Sequence, residues 1–176
     1  RRPEILPKRN RSRTLGYVGH LTESWFDWPL LIAAAKILPD IEFEIIGHGM
    51  PKNMELPANV NYLGPKTHAE VRGYAEKWKA GLIPFKDLPL TRSVDPNKIY
   101  EYQAWGLRTL SAPMGMVAEY PSTWVYRGVG EFVQHAAEIV NEDIDLQELE
   151  TLDRFVKDCC WTHRAEAMRS EFGIEE

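Results

Sequence analysis

Short apolar runs alternate with helix-patterned stretches along almost the whole chain, and this alternation restricts the fold more than any other feature. Thr14 to His20 reads as a buried strand ending in a loop. Asp27 then stands as an N-cap with Pro29 in the first turn, and Leu30, Leu31, Ala34, Ala35 and Leu38 recur at helical spacing until Pro39-Asp40 stops the helix. Ile41 to Ile46 is a second strand, followed by Gly47-His48-Gly49, and Val60 to Leu63 is a third. Thr67, with Glu70 three residues on, forms a capping box for a helix through about Lys77. Ala80 to Phe85 is a fourth strand, residues 86–94 a polar loop, and Asp95 to about Trp105 a helix closed by Gly106 in a left-handed conformation. Residues 108–112 and Thr123 to Tyr126 supply a fifth and a sixth strand. Glu131 to Asn141 is helical, with Phe132, Val133, Ala136, Ile139 and Val140 on one face, and Leu146 to about Phe172 holds one or two further helices. Strands and helices in that order predict an α/β domain: a parallel sheet of about six strands, with right-handed crossovers that put helices on both faces. In such a sheet ligands bind beyond the carboxyl ends of the strands. The loops leaving the strands at Gly19, Gly47 and Lys86 carry the unusual residues, and one pocket at that edge can gather them.

The 176 residues are one domain's worth of core, and 44% hydrophobic content excludes disorder by composition. A formal net charge of -5 argues against a dedicated nucleic-acid or anionic-membrane surface, though not against a local basic pocket. The two cysteines, Cys159 and Cys160, are adjacent, so their spacing gives neither a disulfide framework nor a metal site, and a reducing cytoplasm is the simpler setting. No two histidines have metal-ligand spacing, and no apolar run reaches transmembrane length. Residues 1–13, RRPEILPKRNRSR, are basic and contain two prolines. They read as a linker entering a domain that spans 14–176, and with no initiator Met they suggest a fragment of something longer.

The richest segment is Asp95 to Gly106, DPNKIYEYQAWG. Asp95 suits a cap and Pro96 the first turn. Lys98 falls where free backbone N–H groups already favour anions, and Glu101 lies one turn on along the same face. A cation and a carboxylate at one helix end match a diphosphate and two hydroxyls, the two things a nucleotide diphosphate offers. Lys98 with Glu101 could equally be an exposed helix ion pair; their place after a buried strand and a polar loop favours the pocket. Arg92 lies in that loop beside Thr91 and Ser93, where a phosphate contact and a solvated charge are both open readings.

Four stretches in order carry a resemblance: GYVGHLTESWFDWPLL, PDIEFEIIGHG, ANVNYLGPKTHAEVRGYAEKWKAGLIPF and DPNKIYEYQAWGLRTLSAP. Together they resemble the C-terminal, donor-binding domain of GT-B glycosyltransferases of the family 4 type, over about Thr14 to Phe172. The resemblance implies a Rossmann-like domain forming one half of a GT-B fold. It implies a donor-binding half of an enzyme that moves a sugar from a UDP- or GDP-sugar to an acceptor hydroxyl, in polysaccharide or glycoconjugate synthesis, without a cofactor or a metal. Glu101 would hold the ribose hydroxyls. Lys98 would contact the diphosphate, helped by backbone N–H groups near Ile99, with Asn97 and Ile99 in the donor-binding set, and Lys98 and Arg92 would offset charge on the leaving group. Leu63, Gly64, Pro65 and Lys66 would edge the nucleobase. Gly19 would let backbone approach the phosphates, and Gly47 and Gly49 would shape the cleft floor. Three features depart from the family pattern: Ser93 stands where many relatives carry an acid that contacts the transferred sugar, His20 stands where many carry an Arg, and the Ser24-Trp25-Phe26-Asp27 stretch does not match the Lys commonly found shortly after that Arg. The acceptor, a glycan or lipid-linked glycan, would be held by a preceding N-terminal domain. The setting would be cytoplasmic, with peripheral contact to the inner membrane by the full-length protein. A non-catalytic nucleotide-binding regulatory module is the alternative. A nicotinamide-dependent fold is disfavoured, because Gly16-x-x-Gly19 lacks the full glycine fingerprint.

Overall fold

The computed structural model describes residues 12–159 and 169. Most of the linker, and the extension of the last helix toward Phe172, lie outside the described residues. Six strands, β1 (Thr14–His20), β2 (Glu42–His48), β3 (Val60–Gly64), β4 (Ala80–Ile83), β5 (Arg108–Ser111) and β6 (Thr123–Val125), pair in parallel in the order β3-β2-β1-β4-β5-β6. The chain starts in the middle of the sheet, winds outward to β3, returns through α2 (His68–Ala75) to β4, and winds outward the other way. That order places the reversal between β1 and β4, where the crossovers diverge and leave a crevice.

Helices α1 (Trp28–Ile37) and α4 (Val129–Asn141) pack together on one face, while α3 (Asn97–Ala104) and α5 (Leu146–Asp158) pack together on the other. The caps follow from local chemistry. The Asp27 carboxylate accepts from the Leu30 N–H at 3.1 Å. Thr67 and Glu70 form the reciprocal capping box, with Thr67 N donating to Glu70 Oε2 at 2.8 Å. At the end of α3, the Gly106 N–H reaches Gln103 O at 2.9 Å and the Leu107 N–H reaches Tyr102 O at 2.9 Å, with Gly106 at φ 64°; this is a Schellman closure.

Two expectations shift. Strand β4 ends at Ile83 rather than Phe85, because Pro84 has no N–H for the ladder and Phe85 turns to bridge Phe26 in antiparallel fashion. Helix α3 starts at Asn97, and Asp95 does not cap it: its carboxylate instead accepts from the Tyr100 hydroxyl at 2.7 Å and the Tyr120 hydroxyl at 3.1 Å. A polar loop was expected over residues 86–94; it contains a 3-10 turn at Thr91–Ser93, held by the buried Thr91 hydroxyl, which bonds Lys86 O, Leu88 O and Leu88 N.

One apolar core runs through the sheet, from Leu15, Phe43 and Ile45 to Leu82, Leu110 and Phe132. Trp78 and Tyr102 press directly on the sheet where Gly16 and Gly81 have no side chain; a Cβ on Gly81 would lie 2.2 Å from the Tyr102 ring. The close seating of α3 therefore depends on a glycine in the strand beneath it.

Candidate functional site at the carboxyl edge of the sheet

Strands β1 and β4 pair only at Leu15–Ala80 and Gly16–Gly81, then separate toward their carboxyl ends. The Tyr102 phenol fills that fork. It accepts from Val18 N at 3.2 Å and donates to Leu82 O at 3.1 Å, so α3 is bolted across the crevice by its own buried residue. Burial pushes the Tyr102 phenol well above its ordinary pKa, which keeps it a neutral donor. Above the fork the loops are stitched together: Asp27 N donates to Pro84 O at 2.8 Å, Lys86 N to Trp25 O at 2.8 Å, and Lys86 Nζ to Glu23 O at 2.5 Å.

Lys98 and Glu101, the residues on which the sequence reading rests, share one flank of α3. Lys98 Nζ donates to Glu101 Oε2 at 2.8 Å, and both side chains are about one-third exposed. The first-turn amides differ from expectation in one respect. The Ile99 N–H is already bonded to Pro96 O at 3.0 Å, and Ile99 is buried, so its backbone is not available to an anion. The N–H groups of Asn97 and Lys98 meet no backbone carbonyl among the described residues, and they are the ones free to face a ligand. The loop that leads into them is clamped by the Asp95, Tyr100 and Tyr120 hydrogen bonds, and Phe155 of α5 stacks on Tyr100 with ring centroids 5.9 Å apart. Burial, and then its bonds to Tyr100 and Asp95, raise the Tyr120 pKa far above the ordinary tyrosine value.

Arg92 is not directed at Lys98. Its guanidinium forks onto Asp87, with Nε–Oδ1 2.9 Å and Nη2–Oδ2 3.2 Å, and this hydrogen-bonded pairing holds the Asp87 carboxyl below its usual range. Ser93 is exposed in the same turn.

On the other side of the fork, Gly19 and Gly47 are register partners, as are His20 and His48. The pairing is tight: a Cβ on Gly47 would fall 1.8 Å from Gly19 O, at φ 150°, so only glycine fits. The space a Cβ would need at Gly19 is filled by the Tyr17 hydroxyl at 2.5 Å. These glycines serve strand packing at the cleft floor. They bring the exposed His20 and His48 rings edge to face, with centroids 4.6 Å apart. Spacing in the sequence missed this pair. The signal was present, since both strands end in an apolar residue followed by Gly-His (Val18-Gly19-His20 and Ile46-Gly47-His48). Gly49 adjoins the His20 ring. Farther out, Leu63, Gly64 and Lys66 are half-buried at the end of the edge strand β3, with Pro65 exposed beside them, and Gly64 turns the chain at φ 69°. Among the described residues no group of three or more His, Cys, Asp or Glu is placed to hold a metal ion, and no helix is long and apolar enough to cross a membrane.

No family model matches the chain. It is 28% identical over 103 residues to the UDP-glucuronate:glycolipid 2-beta-glucuronosyltransferase of Xanthomonas campestris pv. campestris, covering 57% of this chain and 26% of that protein. It is 27% identical over 122 residues to TuaH of Bacillus subtilis (strain 168), named as a teichuronic acid biosynthesis glycosyltransferase, covering 65% and 30%. The chain thus spans about a quarter to a third of the length of these relatives. Among solved structures, TarM superposes with a TM-score of 0.66 at 14% identity, over 97% of this chain and 36% of that one. Anabaena HepE in complex with UDP and glucose superposes with a TM-score of 0.56 at 17% identity, over 81% and 42%. By its strand order and by these likenesses, the chain has the Rossmann-like fold of one half of a GT-B glycosyltransferase.

Proposed function

We propose that this domain binds the nucleotide-sugar donor of a glycosyltransferase, and that UDP is the nucleotide. The observation that carries the reading is the Lys98–Glu101 pair, one-third exposed beside the free Asn97 and Lys98 amides on a helix bolted across the β1–β4 fork. A nucleoside diphosphate competes for both partners of that pair. Phosphate oxygens take the Lys98 ammonium and the free amides, and Glu101 turns to the ribose hydroxyls. As the glycosidic bond breaks, negative charge gathers on the diphosphate, and a fixed cation and aligned N–H groups lower the barrier most when that charge is greatest. His20 and His48 flank the cleft from β1 and β2, and Leu63, Gly64 and Lys66 border the base. The similar proteins support the class: the Xanthomonas protein is named for UDP-glucuronate and glycolipid, and HepE is bound to UDP and glucose. Transfer itself, to a glycan or lipid-linked acceptor, belongs to a longer enzyme with an acceptor-binding N-terminal half, working in the cytoplasm and touching the membrane only peripherally.

Titration calorimetry with UDP, GDP and their glucose conjugates tests this. UDP binds, its sugar conjugate binds more tightly, and Glu101→Gln and Lys98→Ala each weaken UDP about tenfold or more, as expected for the loss of a charge-assisted hydrogen bond. Indifference to every nucleotide, or UDP binding untouched by both substitutions, overturns the assignment.

A further inference from the structure

A cavity of about 330 Å³ opens at the same carboxyl edge but away from Lys98 and Glu101, between the loop after β4 and the segments that follow β5 and β6. It is lined by Asp87 and Arg92 from the first, by Pro113, Met114, Gly115 and Val117 from the second, and by Arg127 after β6. Its volume sits at the low end of ligand pockets, the size of one sugar residue rather than a nucleotide. The walls are fixed by backbone: Gly115 N donates to Arg92 O at 2.8 Å, and Tyr126 N to Ser111 O at 3.1 Å.

The charge inside is unbalanced, with two arginines against one aspartate. Asp87 takes the Nε and Nη2 edge of Arg92 and leaves the Nη1 side without a protein acceptor among the described residues. The Arg127 guanidinium makes no hydrogen bond or close ion pair among the described residues, although its charge helps to hold the Asp87 carboxyl below its usual range; its backbone N–H is engaged by Glu131 Oε2 at 2.7 Å. Two always-charged guanidinium groups lining a sugar-sized cavity, one of them with an open edge, suit a carboxylate or phosphate. Pro113, Met114 and Val117 give the apolar surface against which a pyranose ring can lie.

We propose that this cavity is an anion subsite for a charged carbohydrate: a sugar bearing a carboxylate or phosphate, held by Arg127 and the free edge of Arg92, with Asp87 fixing Arg92 in place. The proposal deepens the donor-binding reading and rests on it for the link to glycosyl transfer. The anion can belong to the donor sugar or to the acceptor, and the arms of one experiment separate these. The full chain is titrated with UDP-glucuronate against UDP-glucose. In a second arm it is titrated with glucuronate and glucose 6-phosphate against glucose, with and without saturating UDP. Both arms are repeated with Arg127→Gln and Arg127→Lys.

A charged sugar is expected to bind about tenfold more tightly than its neutral counterpart in one arm, the value of one charge-assisted contact. Arg127→Gln abolishes the preference, and Arg127→Lys, which keeps the charge but loses the fork, retains only part of it. Preference in the first arm assigns the anion to the donor, and in the second to the acceptor. Equal affinity for charged and neutral sugars in both arms, or a preference that survives Arg127→Gln, overturns the proposal. If UDP does not bind, the donor reading fails by itself, and the free sugars without UDP still decide whether the cavity takes an anion.

Discussion

The two edges of the sheet hold the same kinds of charged group and treat them in opposite ways. At the amino edge, Arg108 enters β5 with its side chain only 8% exposed. Glu148 grips it through Nε at 3.0 Å and Nη2 at 2.8 Å, the Glu142 carbonyl accepts from Nη1 at 3.3 Å, and the Trp124 ring lies 5.2 Å from its Cζ. Nearby, Lys79 pairs with Asp143 at 2.5 Å, and the Asn59 amide binds three carbonyls, those of Ala35, Leu38 and Ile41. At the carboxyl edge, Lys98 and Glu101 make one contact with 31% and 34% of their side chains exposed. At the amino edge the cations Arg108 and Lys79 are nearly buried, even though Asp143 is exposed, and Arg108 has its donors filled; they are structural. The carboxyl-edge ions are within reach of solvent and each keeps hydrogen-bonding capacity in hand, which is what exchange with a ligand requires.

The largest effect that contrast predicts is at Arg108. Replacing it with Ala leaves Glu148 half-buried without its partner and strips the cover from Trp124, a loss of about 3 kcal/mol in denaturant unfolding. Arg108→Met keeps the stem packing and recovers part of that loss. A midpoint that barely moves for Arg108→Ala would break the contrast, because the amino edge would then not be held by charge.

Asn59→Ala comes next. It removes the partner of three carbonyls where α1 ends and β2 begins, two of them at buried contacts, and costs about 1–3 kcal/mol. Asn59→Asp is expected to be no better, since a carboxylate has no N–H to give those carbonyls. Thermal unfolding of both variants checks this, and a rescue by Asp would show that packing at the site, not donation, is what matters.

What was legible in the sequence follows the same division. Local chemistry was plain: Asp27, the Thr67–Glu70 box and Gly106 each act within four residues of chain, and the structure places them as their types predict. The number and parallel sense of the strands followed from alternation. What was not legible depends on partners far along the chain. Arg108 is 40 residues from Glu148, and nothing local marks it as buried. Asp95 before Pro96 reads as a cap, but two phenols, 5 and 25 residues on, compete successfully for its carboxylate. For Arg92 the sequence leaves a phosphate contact and a solvated charge both open, and nothing local shows that Asp87 takes one edge of its guanidinium while the other stays open. Lys98 and Glu101 lay between these cases, since helical spacing alone put them on one face. Which side of the sheet that face overlooks was set by Tyr102 in the β1–β4 fork, a tertiary fact.

The smallest effect predicted is on stability at the carboxyl edge, and it is the most discriminating. An exposed i,i+3 pair contributes about 0.2–0.5 kcal/mol, because solvent screens the attraction and ordering two long side chains costs entropy. A double-mutant cycle of Lys98→Ala and Glu101→Gln, read by chemical denaturation, should therefore give a coupling of that size and shrink further in high salt. The same two substitutions should weaken UDP by about tenfold each. Near-silence in unfolding combined with a clear loss in binding is the signature of a pair kept for a ligand. A coupling of about 2 kcal/mol or more would instead place Lys98 and Glu101 with Arg108 and Glu148, as structural ions that happen to lie at the open edge.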